Sequence, residues 1–254
     1  MANMEFLRVN QLNTTTMVTA STGTGTFANM YDRNTNLSYS TIGYTSNTSS
    51  LINIVFPGPT IISNLILLNH NFRAYRAFYN SLTANAFTPA INVSANSQSS
   101  SYFLFASVTV SSIQLQVDTP MSADIERRLG EFILTERRLQ WTVNPAYDNY
   151  RPVTRRAKVL HKMPDGGTTV FNIKNKYDYK IKLEYISSTF RNNLQTVWNE
   201  AAPLVFLPFP TTGSDWDGQC PEVIWPSDFD FRHGENSKTQ GFIGDIELME
   251  TPSA

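Results

Sequence analysis

Bond-making chemistry needs titratable groups gathered at one place, and this chain offers few. Its three histidines, His70, His161 and His233, are too widely spaced for two to share a helix turn as a zinc pair. Cys220 is the single cysteine, so no internal disulfide or thiolate cluster can form, and a small buried hydrophobe is its expected role. No glycine-rich phosphate loop and no Gly-x-Ser-x-Gly elbow occurs. Asp215-Trp216-Asp217-Gly218 begins as a calcium loop would, but the closing glutamate is missing. It reads instead as an Asp-Gly turn with Trp216 packed inward. No catalytic residue, metal ligand or cofactor is expected, and the chain is expected to bind or build rather than to catalyse.

Binding chemistry has more to draw on. Arg137, Arg138, Arg151, Arg155, Arg156, Lys158 and Lys162 form a basic cluster, with Asp124, Glu126, Glu131, Glu136 and Asp148 nearby. That mixture suits a solvated or inter-subunit face better than a phosphate backbone. Tyrosine rings stack on sugars, so Tyr39, Tyr44, Tyr75 and Tyr79 in the first half are candidates, with Tyr39 and Tyr75 singled out as glycan contacts.

The totals narrow the class. The 254 residues are 41% hydrophobic but only 16% charged, with Asn, Ser and Thr supplying the polar surface, which favours strands and turns. A net charge of −1 gives no field toward nucleic acid or an anionic bilayer, so neither partner is expected. No apolar run has the length of a membrane span, and MANMEFLRVNQLNTTT lacks the basic-then-apolar layout of a secretory signal. Only seven of the 41 charged residues precede residue 121, and 34–72 and 77–117 carry none. This shift divides the chain into domains at 1–140 and 141–254.

The elements that must position these residues are mostly strands. Leu51–Phe56, Ile61–Leu68, Phe72–Tyr79, Tyr102–Val110, Ile113–Val117 and Glu131–Leu134 read as strands, with a turn at Pro57-Gly58-Pro59. Ile113, Leu115 and Val117 alternate with Gln114 and Gln116, the period of a half-buried strand. In the second half a hairpin is expected to join Thr168–Ile173 to Tyr179–Tyr185. One helix near 189–202 carries Phe190, Leu194, Val197, Trp198 and Ala201 on one face, and Pro203 ends it. A final strand is expected around Phe242–Leu248. The fold class is mostly β: an N-terminal β-sandwich or jelly roll, then a second β-sandwich-type domain with one flanking helix.

Residues 8–138 resemble galactose-binding-like, discoidin-type domains. The likeness rests on Ala28-Asn29-Met30-Tyr31-Asp32 followed by Asn34, Thr35, Ser38 and Ser40, with Tyr39 where the family has tryptophan. It continues through Ile62–Leu68 with Asn69-His70-Asn71, and through Ile113–Val117 and Gly130–Leu134. In some members an aspartate and a late glutamate hold a structural calcium; Asp32 and Glu131 occupy those places. The second half is similar in layout to tail-tube domains of tailed bacteriophages, which form rings. Together the resemblances imply a structural virion protein of the tail or baseplate, made in the host cytoplasm. Its implied partners are other virion proteins and copies of itself, and Phe190, Leu194 and Trp198 are the expected subunit interface. The alternative is an adhesion module that binds host surface glycans.

Overall fold

The computed structural model describes residues 3–20, 26–34, 36–41, 49–80, 85–122, 126–163, 168–213, 216, 218–235 and 240–251. The expectations for Tyr44, Thr35, Asp215, Asp217 and the turn at 164–167 lie outside the described residues. The chain forms two compact units, one of Met1–Arg138 with Leu207–Cys220 and the other of Leu139–Phe206 with Pro221–Thr251. Leu207–Cys220, expected in the second domain, therefore belongs to the first unit. The protein is mostly β, as its composition predicts.

The first unit holds β1 (Glu5–Leu7), β2 (Val18–Ala20), β3 (Tyr39–Ser40), β4 (Ser50–Leu68), β5 (Phe72–Tyr79) and β6 (Asn92–Val93). It continues with β7 (Ser101–Pro120), β8 (Arg128–Leu129) and β9 (Glu131–Thr135), while β10 (Arg137–Gln140) spans the unit boundary. Its main sheet runs β2-β4-β7-β5-β6, with β9 also pairing β4. β4 and β7 pair antiparallel from Ser50↔Val117 to Leu67↔Ser101. The turn expected at Pro57-Gly58-Pro59 is instead a large bulge within one strand. Val55 pairs Ser112 and Thr60 pairs Val110, so four residues of β4 face Ser111 alone. Prolines cannot donate to a ladder, and here they lie where the ladder is interrupted. The two runs expected at 102–110 and 113–117 are likewise one strand, β7.

Period-two alternation then builds the core. Ile52, Ile54, Ile113, Leu115, Val117, Tyr75 and Ala77 point inward from one half of the sandwich, and Leu65, Leu67, Phe132 and Leu134 from the other. Burying each large apolar side chain stabilises by about 1.5–3 kcal/mol. At the Tyr102 end of β7, the returning segment packs against the strand. Gly213 and Tyr102 exchange two backbone hydrogen bonds, and Trp216 is buried with its ring 5.8 Å from that of Tyr102.

The second unit contains β11 (Tyr150–Lys162), β12 (Thr168–Ile186), α1 (Ser188–Asn199), β13 (Leu204–Leu207, all but its last residue), β14 (Glu222–Ile224), β15 (Phe231–Glu235) and β16 (Gln240–Glu250). The strands run β13-β14-β16-β12-β11, and β15 also pairs β16. The hairpin expected between Thr168–Ile173 and Tyr179–Tyr185 does not form, because both runs belong to the single strand β12. Its antiparallel partner is β11, paired from Tyr150↔Ile181 to Lys162↔Thr168 with one register shift between Arg156 and Lys158.

The helix starts at a serine cap: the Phe190 amide donates to Ser187 Oγ at 3.2 Å. It stops before Pro203, with Ala201 in the left-handed region at φ 48°. The proposed interface on its apolar face does not hold. Phe190 is 1% exposed and Leu194 0%, and the Phe190 ring meets Trp141 of the same unit edge to face at 5.9 Å. Trp198 is half-buried, donates its indole N–H to the Ser227 carbonyl at 3.0 Å and lies against Phe229. An amphipathic stripe cannot by itself distinguish an intramolecular neighbour from a partner, and here the neighbour is the unit's own core.

Candidate functional site

One arrangement has the spacing of a nucleophile and its base. Ser101 Oγ lies 3.0 Å from His70 Nε2 and 2.7 Å from the Tyr75 hydroxyl, and all three residues are buried. The tautomer argues against catalysis. His70 Nδ1 accepts the Phe72 amide at 3.2 Å, so the ring proton sits on Nε2 and points at the serine. An imidazole in that form cannot take the serine proton. Burial pushes the His70 pKa down to about 3, keeping the ring neutral. The trio is a packed polar tie between β5, β7 and the 69–71 corner.

A surface cleft of about 500 Å3 in the second unit is lined by Asp148, Arg151, Lys180, Lys182, Asp245 and Glu247, among others. Lys180 pairs Glu247 at 3.0 Å, and Lys182 stands opposite Asp245 across the ladder. The two β16 acids of the cleft, Asp245 and Glu247, thus each face a lysine across the ladder, unlike the opposed carboxylates of glycoside hydrolysis.

The resemblance paired Asp32 with Glu131, and the fold brings them together. Glu131 is 0% exposed, and neither of its carboxylate oxygens has a hydrogen bond of normal geometry. Burial pushes its pKa up to about 7; Arg33 opposes that shift and the neighbouring Asp32 reinforces it. Asp32 Oδ1 accepts the Asn34 amide at 2.9 Å in a tight turn that holds Arg33 at φ 60°. The Arg33 guanidinium is directed to the Cys220 carbonyl at 2.6 Å. A buried carboxylate beside a second carboxylate is the donor type that a hard cation such as calcium takes. Asp32 and Glu131 are the residues that would hold it. Among the described residues no group of three or more His, Cys, Asp or Glu is gathered.

The tyrosines singled out for glycan contact are misplaced for that role. Tyr39 is 1% exposed and Tyr75 0%, so neither presents a ring face to solvent. Tyr39 packs against Phe27 at 5.4 Å, and the Tyr75 ring meets His70, Phe72 and Phe103. Both fall on the inward register of their strands.

The outward register carries a different set. Strand pairing places Thr19, Asn53, Gln114 and Phe78 in one row, and Leu51, Gln116, Arg76 and Asn92 in the next. Ser49 and Asp118 continue the same face. Asp118 Oδ1 accepts from Ser49 Oγ at 2.7 Å and from Gln116 Nε2 at 2.9 Å, and Arg76 Nε lies 3.4 Å from Asp118 Oδ2. The Gln114 amide donates to Asn53 Oδ1. Leu51, Asn53, Gln116, Arg76, Phe78 and Asp118 are half-buried, while Thr19 and Asn92 are exposed. With strands about 4.8 Å apart, four strands span roughly 14 Å, the length of two to three sugar rings. Sequence reasoning identified the alternation of Gln114 and Gln116 with the core residues but did not follow it to the outer face. The signal was there: Arg76 and Phe78 alternate with Tyr75 and Ala77.

No family model matches the chain, and no curated protein does. Among solved structures it is similar to chitosan-binding module 1 of a chitosanase/glucanase from Paenibacillus sp. IK-5, at 14% identity and a TM-score of 0.42, over 50% of this chain and 98% of the module. A pectin-binding carbohydrate-binding module matches at 17% identity and a TM-score of 0.35, over 46% of this chain and 87% of that one. A putative alpha-L-fucosidase from Bacteroides thetaiotaomicron matches at 15% identity and a TM-score of 0.40, over 47% of this chain and 27% of the fucosidase.

Proposed function

We propose that this chain binds carbohydrate without transforming it, through the outer face of the β4–β7–β5 sheet. The observation that carries the reading is the linked array of Ser49, Asp118, Gln116 and Arg76 on a half-exposed sheet face. Sugar hydroxyls are both donors and acceptors, and amide, carboxylate and guanidinium groups meet vicinal hydroxyls two at a time. Groups already tied to one another lose less freedom when a ligand arrives. The reading contains no covalent step. Calorimetry or a glycan array with the full chain tests it. Gln116→Ala and Arg76→Ala are each expected to weaken binding about 3- to 10-fold. Retained affinity in both variants, or no glycan bound by the parent, would refute it.

One observation favours a second reading, assembly of copies of this chain into a larger structure, of which a phage tail or baseplate would be one case. β16 pairs β12 only from Asp178 to Ile186, whereas β11 pairs it back to Thr168. Among the described residues, Thr168–Tyr177 therefore has β11 as its one strand partner, and a two-stranded ribbon is marginal alone. The ribbon's sequence includes Arg155, Arg156, Lys158, Lys162, Lys174 and Lys176. A neighbouring copy that received it would stabilise it, and high salt would weaken that contact. Native mass spectrometry tests this reading: a discrete ring supports it and a salt-independent monomer counts against it.

A further inference from the structure

We infer that the ligand of the outer sheet face is an acidic saccharide, recognised through a carboxylate by Arg73 with Arg76 beside it. This rests on the glycan-binding reading and adds the ligand's charge. Phe72 and Tyr75 are both buried although they are three residues apart, a spacing that places side chains on opposite faces of a regular strand. The register explains how. Phe72 pairs Pro120 and Ala74 pairs Thr119, so Arg73 is an extra residue on β5. Tyr75 then pairs Val117, so Asp118 is extra on β7. The double irregularity turns Arg73 outward, on the side of the sheet that carries Arg76.

Charge on this face is scarce. Between Asn34 and Val117 the only ionisable acids or bases of the Asp, Glu, Lys and Arg type are these two arginines. Arg76 is engaged by Asp118 at 3.4 Å. Arg73 is exposed, and among the described residues its side chain has no carboxylate within 4 Å. Among the described residues the face therefore holds one guanidinium paired with the Asp118 carboxylate and one without such a pair, set among neutral amides. A guanidinium presents parallel N–H groups that match a carboxylate, and the amides around it fit hydroxyls. A uronic acid unit within an oligosaccharide supplies both.

The test uses the intact chain against three probes: a galacturonic acid oligosaccharide, a neutral cello-oligosaccharide and a sulfated oligosaccharide. Parent, Arg73→Gln and Gln116→Ala chains are measured at low and high NaCl. The expected result is roughly tenfold tighter binding of the uronate probe than the neutral one. Arg73→Gln should erase that difference and leave the neutral affinity unchanged, while Gln116→Ala lowers both. Added NaCl should weaken the uronate complex alone. Equal binding of uronate and neutral probes, or an Arg73→Gln chain that still prefers uronate, overturns the inference and leaves the glycan reading standing. Preference for the sulfated probe overturns the carboxylate assignment. Failure of all three probes overturns the inference together with the glycan reading. Arg73 is exposed, so an unchanged melting curve for Arg73→Gln separates lost recognition from lost folding.

Discussion

At the scale of single residues, two buried titratable groups make opposing demands. Glu131 holds its proton more tightly folded than unfolded, with a pKa raised from 4.5 to about 7. The unfolded chain therefore binds fewer protons in between, and this group's contribution to stability falls as pH rises from about 4.5 to 7, by on the order of 3 kcal/mol. His70 has the reverse sign: its folded pKa lies near 3 against 6.5, so stability is lost as pH falls from 6.5 toward 3. Chemical denaturation of parent and Glu131→Gln chains across pH 4–8 isolates the glutamate. Their difference in stability is expected to shift in favour of the variant as pH rises, and parallel curves would show that Glu131 is not buried as described. Millimolar Ca2+ at pH 7 is predicted to raise the melting temperature of the parent but not of Glu131→Gln. An equal rise in both would place any bound cation elsewhere. Ser101→Ala is predicted to cost about 1–3 kcal/mol, because it leaves buried Tyr75 and His70 groups unpaired.

At the scale of elements, alternation decided what was legible in the sequence. Ile113, Leu115 and Val117 against Gln114 and Gln116 set both the core and the outer face of β7, because side-chain direction in a strand follows parity. Parity also explains the misplaced tyrosines: Tyr75 shares the inward register with Ala77, a relation visible in the sequence but outweighed by aromatic chemistry. Continuity of strands was harder to read. Pro57 and Pro59 mark a bulge as readily as a turn, and the polar residues of Lys174–Asp178 blur the alternation that would mark β12 as one strand. The Arg73 bulge left no local signal, since only the burial of both Phe72 and Tyr75 requires it. Two substitutions test these assignments. Leu115→Ala removes a fully buried side chain between the two halves of the sandwich and is expected to cost about 2–5 kcal/mol. Ser187→Ala removes the α1 cap and is expected to cost about 0.5–2 kcal/mol. Thermal melts that place Ser187→Ala as the more damaging change would contradict this ranking.

At the scale of the whole molecule, the first unit combines an apolar core with an outer face of mostly neutral hydrogen-bonding groups. Neutral hydrogen-bonding groups dominate there because Asn, Gln, Ser and Thr occupy the outward positions of long strands. The pairing of Asp32 with Glu131 was legible only through a family resemblance, since 99 residues separate the two in sequence. The sheet-face array depends on strands that are equally remote: Ser49 and Asp118 meet because β4 and β7 pair along most of their length. Chemical-shift mapping of the intact, isotope-labelled chain, titrated with a galacturonic acid oligosaccharide and then a cello-oligosaccharide, tests whether the outer sheet face binds glycan. Amides of Asn53, Arg76, Asn92, Gln114, Gln116 and Asp118 are predicted to shift together and saturably with at least one of the two sugars. Shifts confined to the second unit, or no shifts with either sugar, would contradict binding at that face.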